Sequence, residues 1–245
     1  MKMLEKEMKK PYIKKLINVS GFNVWIVDGE YVRDNLDKEF TNFAQPFDFK
    51  FIPKNEFWID KEHSGNESRF FIAHMLAEHK LMSEGKKYSV AKKYADKIER
   101  KERANSKLYK NAHKKMKHKR ELLKKIHKKL LKKYSNDKIK VWIVNGDLVR
   151  DLFFLDFTEG GNDQIYHFVP RGEIWLDDDL KIRERGFVLI HELHERNFMA
   201  KGWPYWLDLH KERSAHWFAN KVEFFCRRHP NFLDIKIKEE LKKIK

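Results

Sequence analysis

The chain contains one sequence pattern twice. Residues 22–34, FNVWIVDGEYVRD, return at residues 139–151 as IKVWIVNGDLVRD, and the same offset of 117 positions relates Trp58 to Trp175. Each copy has about 90 to 100 residues, which is enough to bury a hydrophobic core of its own. The repeat therefore predicts two tandem domains with the same fold.

The composition indicates a folded protein without membrane-spanning segments. Hydrophobic residues make up 41% of the 245 positions and charged residues 37%. No apolar run reaches the roughly 18 residues that a membrane helix needs, and the start MKMLEKEMKK lacks a secretory apolar stretch. We therefore expect a cytoplasmic protein with no membrane partner. The single cysteine, Cys226, excludes an internal disulfide, so a metal site would need histidine and carboxylate ligands.

Each copy is predicted to fold as ββββαα. An apolar-polar alternation is followed by Asp28-Gly29 in the first copy and Asn145-Gly146 in the second, which is typical of a β-hairpin with a type I′ turn. Two more strands are expected in each copy, at residues 47–52, 56–60, 165–169 and 173–177. Helical spacing then begins near residue 181, and the last two helices of the second copy are expected at 181–202 and 207–228. These elements give an α+β layer of sheet and helices.

The net charge of +16 is concentrated between the two copies. Residues 92–140 contain basic runs such as KKIHKKLLKKY and few acidic residues. Leu122, Ile126 and Leu130 recur every four residues there, which predicts a long basic amphipathic helix connecting the domains. Such a surface attracts polyanions, so nucleic acid is a candidate partner. The alternative is a solvated helix without a partner.

The second copy carries a group of ionisable residues on one predicted helix. His191 and Glu195 are four residues apart, so they lie about 40° apart on one face and can share a cation. Glu192 lies about 100° around the helix from His191. A zinc hydrolase has a carboxylate in this position, where it takes a proton from water at the metal. The spacing therefore indicates two metal ligands and a candidate base.

A third ligand is expected on the next helix, which offers His210 and His216. Alignment with the first copy places His216 opposite Lys92, after an insertion of about two helical turns that keeps the same face inward. His210 would face about 120° away. We therefore expect His216 to be the third ligand. His194 and His210 are alternates for this ligand or for hydrogen bonds to the ligands.

The first copy lacks part of this group. It keeps the pair as His74 and Glu78, but it has Met75 in place of the candidate base and Lys92 in place of the third histidine. We therefore expect a degenerate, structural copy. The persistence of the pair without a base also supports another interpretation, in which the histidine and glutamate form only an internal hydrogen bond or ion pair.

The string HELHE at residues 191–195, followed by His216, resembles the active-site helix of the zincin-like metallopeptidases. In that family the motif is HExxH, and here Glu195 takes the place of its second histidine. The resemblance covers residues 140–228 and, more weakly, residues 23–103. An anionic ligand in place of an imidazole makes the zinc ion a weaker Lewis acid, which is a departure from the family pattern.

The resemblance implies a zinc-dependent metallohydrolase that acts on peptide or protein substrates. By this similarity His191, Glu195 and His216 would bind Zn²⁺, and Glu192 would be the general base that activates a water molecule at the metal. Two alternatives stay open. One is a non-enzymatic nucleic-acid-binding or scaffold protein that uses the Lys-rich connector. The other is an interaction protein in which a metal only braces two helices.

On this interpretation the chain has four parts. They are a degenerate zincin-like repeat at residues 18–103, a basic helical connector at 104–138, a zincin-like domain with the metal site at 139–230, and a charged tail at 231–245. The tail is expected to be a short helix with frayed ends.

Overall fold

A computed structural model describes residues 11–63, 65–113, 119–205 and 213–244. The chain forms two compact units, Met1–Ala91 and Lys92–Lys245, which we call unit 1 and unit 2. The alternate ligand His210 lies outside the described residues.

Unit 1 contains a four-stranded sheet with helices. Its strands and helices, in chain order, are β1 (Tyr12–Val19), β2 (Phe22–Val27), α1 (Gly29–Asn35), β3 (Phe43–Ala44), β4 (Glu56–Asp60) and α2 (Ser68–Ser83). A further helix, α3 (Tyr88–Ala104), begins in unit 1 and continues into unit 2. The strand order is β1-β2-β4-β3, in which β2 and β4 are parallel and the outer strands are antiparallel to their neighbours.

Unit 2 repeats this arrangement and adds helices. Its elements after α3 are α4 (Lys107–His113), α5 (Lys119–Ile126), β5 (His127–Leu130), β6 (Lys140–Val144), α6 (Gly146–Leu152), β7 (Gly160–Asn162), β8 (Glu173–Asp177), α7 (Ile182–Met199), α8 (Ala215–Arg228) and α9 (Leu233–Lys243). The strand order is β5-β6-β8-β7, and β6 and β8 are the parallel pair.

The two sheets share topology and register. Parallel pairing places Trp25 opposite Trp58 in unit 1 and Trp142 opposite Trp175 in unit 2. The offset of 117 positions that the sequence repeat established relates β2 to β6, α1 to α6, β3 to β7, β4 to β8 and α2 to α7. The predicted α+β class is confirmed.

Each unit buries the same ion pair beneath the short helix that follows the second strand of its sheet, α1 in unit 1 and α6 in unit 2. Arg33 Nη1 lies 2.7 Å from Asp60 Oδ2, and Arg150 Nη1 lies 2.6 Å from Asp177 Oδ2. Each arginine also donates to the main-chain carbonyl seven residues further along the chain. A buried charge is tolerated when it is paired and hydrogen-bonded, and both conditions are met here. Asp177 therefore holds α6 in place.

The expected type I′ turns are helix starts instead. The side chains of Asp28 and Asn145 each accept a hydrogen bond from the main-chain N–H three residues later, and so cap α1 and α6. The glycine after each cap allows close packing, because a Cβ at Gly29 or Gly146 would overlap the aspartate of the buried ion pair. The Asp-Gly and Asn-Gly signals therefore reflect capping and packing rather than a hairpin.

Three other expectations differ from the structure. Residues 47–52 and 165–169 form turns rather than strands, and β1 and β5 complete the sheets instead. The connector at residues 104–138 is not one helix, since it contains α4, α5 and β5. Its Leu122 and Ile126 are buried in a core cluster of unit 2, so this apolar stripe belongs to the fold.

Helix α7 positions the site because it is buried on most of its surface. Its apolar residues pack on β6 and β8 in one core cluster, whose members include Val141, Ile143, Ile174, Leu176, Phe187, Ile190 and Leu193. The tail forms a helix, α9, as expected, but it packs on α7 instead of fraying. Asn197 Nδ2 donates to the main-chain oxygen of Glu240 at 2.9 Å and to its carboxylate at 2.8 Å. Among the described helices, none has the length and apolarity required to cross a bilayer.

Candidate metal centre

Helices α7 and α8 bring the predicted site residues together. Helix α7 presents His191, Glu192 and Glu195, and α8 carries His216 in its first turn. The start of α8 is fixed by Ser214, whose side chain accepts a hydrogen bond from the main-chain N–H three residues later.

Three potential ligand atoms form a small triangle. His191 Nε2 lies 3.3 Å from His216 Nδ1 and 3.7 Å from Glu195 Oε1, and His216 Nδ1 lies 3.0 Å from the same carboxylate oxygen. Ligands of a tetrahedral zinc ion, at about 2.0–2.1 Å from the metal, lie about 3.3 Å from one another. The triangle has the size that one small cation requires.

The triangle alone does not distinguish a cation site from a hydrogen-bonded cluster, because its edges also suit hydrogen bonds. The surroundings of His191 are compatible with both. Its Nδ1 lies 2.8 Å from Glu223 Oε2, so this carboxylate accepts the Nδ1 proton, and release of the Nε2 proton on metal binding would leave a lone pair facing the triangle. A carboxylate behind a metal-binding histidine is the usual partner in protein metal sites.

Glu223 is itself held in place by a buried network. Its second oxygen accepts from Arg227 Nε at 2.9 Å, and Arg227 donates through both terminal nitrogens to Glu184 at 3.1 and 2.8 Å. All three side chains are buried. The orientation of His191 therefore depends on two residues one turn apart on α8 and on a residue in the first turn of α7.

Strand β7 lies against the site and holds its carboxylates. Asn162 Nδ2 donates to Glu192 at 2.9 Å and to Glu195 at 3.2 Å. The strand approaches α7 closely at Gly160, where a Cβ would lie 2.7 Å from Val188 Cγ1 and 3.4 Å from Glu192 Cγ. Gly160 therefore leaves space beside Glu192 that a side chain would fill.

The carboxylates of the site differ in their affinity for protons. Burial and the negative charge of Glu195 raise the pKa of Glu192 to about 8. Burial would also raise the pKa of Glu195, but hydrogen bonds from His191 and His216 outweigh it and hold that pKa below its usual value. The two neighbouring carboxylates therefore have different pKa values. Glu195 is an anion near neutral pH, whereas Glu192 can carry a proton there.

The pKa values of His191 and Glu223 are also shifted in opposite directions by their contact. Burial alone would lower the pKa of His191, but hydrogen bonds and negative charge from Glu195 and Glu223 raise it well above its usual value. Burial would raise the pKa of Glu223, whereas His191 and Arg227 lower it to about 2. The buried group contains more carboxylates than cationic side chains, and an added divalent cation would offset this excess of negative charge.

The alternate ligand His194 faces away from the triangle. Its Nδ1 lies 2.8 Å from Glu240 Oε1 on α9, and its ring packs against Phe198. It therefore belongs to the contact between α7 and α9. The prediction for His210 lies outside the described residues.

Sequence reasoning missed Glu223, Asn162 and the role of Gly160. Glu223 follows His216 by seven residues, which is about two helical turns, so helical spacing on α8 could have placed both on one face. Gly160 carries no local signal of its role, because its approach to α7 depends on the fold of β7 against that helix. No local pattern identifies Asn162, because its contacts depend on the pairing of β7 with β8.

Unit 1 shows the same helix with the site closed. His74 Nε2 lies 3.4 Å from Glu78 Oε2, so the pair itself is preserved. Met75 is fully buried at the position of the candidate base. Phe43, which matches Gly160, stacks on Phe71 with ring centroids 4.6 Å apart and contacts the His74 ring. An apolar ring thus occupies the corresponding position in unit 1.

Comparison with protein-family models, with curated proteins and with solved structures finds no match for this chain.

Proposed function

We propose that unit 2 is a zinc-dependent hydrolase that cleaves peptide or related acyl substrates. The observation that carries this proposal is the triangle of His191 Nε2, Glu195 Oε1 and His216 Nδ1, whose edges of 3.0 to 3.7 Å suit one cation. The zincin-like sequence resemblance and the position of Glu192 beside the triangle support the hydrolytic reaction.

The donor set fits a zinc ion. Two imidazole nitrogens and one carboxylate oxygen are ligands that zinc accepts, and His191 has a carboxylate partner behind it in Glu223. Three protein ligands leave a fourth position for water or substrate, as catalytic zinc sites require. When bound, zinc would supply a Lewis acid that polarises a carbonyl oxygen and lowers the pKa of a water molecule.

Glu192 is the proposed general base. Its raised pKa gives it a real affinity for protons near neutral pH, so it can take a proton from the attacking water and later return it to the leaving amine. A nearby cation would lower this pKa and favour the ionised, accepting form. Asn162 holds Glu192 and Glu195 through one amide nitrogen and so fixes the base relative to a ligand.

Two measurements test the proposal on the purified full-length chain. After dialysis, metal analysis should find close to one zinc per chain, and Glu195→Ala should lower it. Zinc below about one-third of an equivalent, unaffected by Glu195→Ala, would contradict the site. The matched control is Glu78→Ala in unit 1, which removes the corresponding glutamate and should leave the zinc content unchanged.

The second measurement separates an enzyme from a metal-braced scaffold. Glu192→Gln keeps the size and the polar character of the side chain but removes the base, so it should retain zinc and lose hydrolysis of fluorogenic peptide substrates. A loss of about 10²–10⁴-fold in rate is expected for removing a general base. Zinc binding by both proteins with hydrolysis by neither would leave the metal as a brace between α7 and α8.

A further inference from the structure

Unit 2 contains a cavity of about 470 Å³ whose lining is cationic. None of the proposed metal ligands lines it. One of the basic side chains around it comes from α7 and four come from turns or a helix end. They are Arg196 on α7, and Lys138, Arg171, Lys201 and Lys243. Aspartate and glutamate are absent from its lining within the described part of the chain. The volume is that of a site for a small organic molecule.

Three of these cations have no carboxylate partner among the described residues: Lys138, Arg171 and Lys201. The Lys201 ammonium has only a distant contact with the Phe198 ring, at 5.6 Å from its centroid. The other two cations are paired. Arg196 binds Asp163 at 2.5 and 3.2 Å, and Lys243 binds Glu240 at 2.6 Å. The cavity therefore carries excess positive charge.

Stabilisation of the helix end does not account for this charge. Cations in the last turn of a helix complement its dipole, and this explains Arg196 and, just beyond the helix, Lys201. Lys138 and Arg171 precede β6 and β8, where no such effect applies. Like charges converging from separate segments are unfavourable unless an anion joins them.

The walls suit a ligand with several negative oxygens. Arg171 can use its guanidinium fork on one anionic group, while Lys138 and Lys201 act as mobile point charges. Arg196 uses its Nε and one terminal nitrogen on Asp163, which leaves Nη1 as a further donor. Buried Ile244 adds an apolar surface to the lining. Tetrahedral phosphate groups accept hydrogen bonds from more directions than a planar carboxylate, and so fit donors that surround a cavity.

We propose that this cavity binds a small oligophosphate, meaning a molecule with two or more linked phosphate groups. The site is separate from the candidate metal centre and does not depend on the proposed hydrolase activity. It also differs from the predicted nucleic-acid contact, because four of its five cations lie outside the connector.

The test is calorimetric titration of the full-length chain with tripolyphosphate. Bound metal is removed first with a chelator and dialysis, because tripolyphosphate itself chelates divalent ions. We expect saturable binding of one molecule per chain. Arg171→Gln and Lys201→Gln should each weaken it by about tenfold or more, since each removes a charged hydrogen-bond donor. Both side chains are exposed, so the variants should fold normally by circular dichroism.

Lys129→Gln is the matched control. It removes one exposed lysine from β5 of the same unit, outside the cavity, and should leave the affinity unchanged. Equal weakening by all three variants would overturn the proposal, because binding would then follow net charge. It would also be overturned if citrate bound and tripolyphosphate did not, if only a single-stranded oligonucleotide bound, or if no anion bound.

Discussion

Replacing Glu223 by glutamine should weaken zinc binding although no ligand is removed. The carboxylate has two acceptor oxygens, one 2.8 Å from His191 Nδ1 and the other 2.9 Å from Arg227 Nε. Glutamine has one acceptor oxygen and an NH₂ group. If its oxygen faces Arg227, the NH₂ faces His191 and favours the tautomer with a proton on Nε2, which is the nitrogen needed for the metal. If its oxygen faces His191, its NH₂ group faces the Nε–H of Arg227, and these two buried donors have no acceptor between them.

Two magnitudes follow from this geometry. Loss of a hydrogen-bond partner behind a metal ligand lowers metal affinity by about 10–100-fold. In the metal-free protein, the lowering of the Glu223 pKa to about 2 from its ordinary 4.5 corresponds to roughly 3 kcal/mol of unfolding free energy at neutral pH. Since the folded pKa is lowered, this stability is present above about pH 4.5 and is lost as the pH falls towards 2.

The assays are a zinc competition titration with a chromophoric chelator at pH 7, and urea unfolding of the metal-free proteins from pH 7 to about pH 3. The stability difference between native protein and Glu223→Gln should shrink as the pH falls. Glu99→Gln is the matched control, because Glu99 forms the same i,i+4 pair with Arg103 at 2.8 Å in the same unit. It should lower stability without changing zinc affinity. An unchanged zinc dissociation constant for Glu223→Gln would refute the argument from the tautomer.

Three further outcomes are expected. Gly160→Ala should lower the free energy of unfolding in urea by about 1–3 kcal/mol because its Cβ would crowd α7, whereas Gly65→Ala, with no atom within 4 Å, should have little effect. Arg150→Met should lower the free energy of unfolding in urea by about 3–5 kcal/mol, because it leaves the buried Asp177 carboxylate without its cationic partner. A smaller decrease would mean that water reaches that carboxylate. Cys226 is buried and its thiol pKa is raised by burial, so it should react with a thiol reagent only after unfolding, and rapid labelling of the native protein would contradict this.

The internal repeat made much of the fold predictable. Comparison of the copies aligned β4 with β8 and α2 with α7, because apolar periodicity and spacing are local properties that duplication preserves. The same comparison singled out Glu192 and His216, which the first copy lacks. Helical spacing then placed His191 and Glu195 on one face without any knowledge of the sheet.

The rest depended on contacts between distant segments. The Asp28-Gly29 turn signal could not reveal that the glycine packs against Asp60, about thirty residues away. Strands β1 and β5 each contain a Lys-Lys pair, which breaks the alternation of apolar and polar residues, yet lysine is a common residue on sheet edges. Asn162 gained its role from strand pairing, which periodicity does not encode.

The course of α3 determines how the chain can be divided for study. The boundary predicted at residue 103 assigns Arg103 to the first repeat, yet this side chain is buried and its Nη1 lies 3.0 Å from Asp151 of unit 2. Expression of residues 104–245 would therefore leave Asp151 without this arginine and remove all of α3 except its last residue. A fragment that starts at Tyr88 keeps this helix intact, and it is the one from which we expect a folded unit 2 for metal and anion titrations.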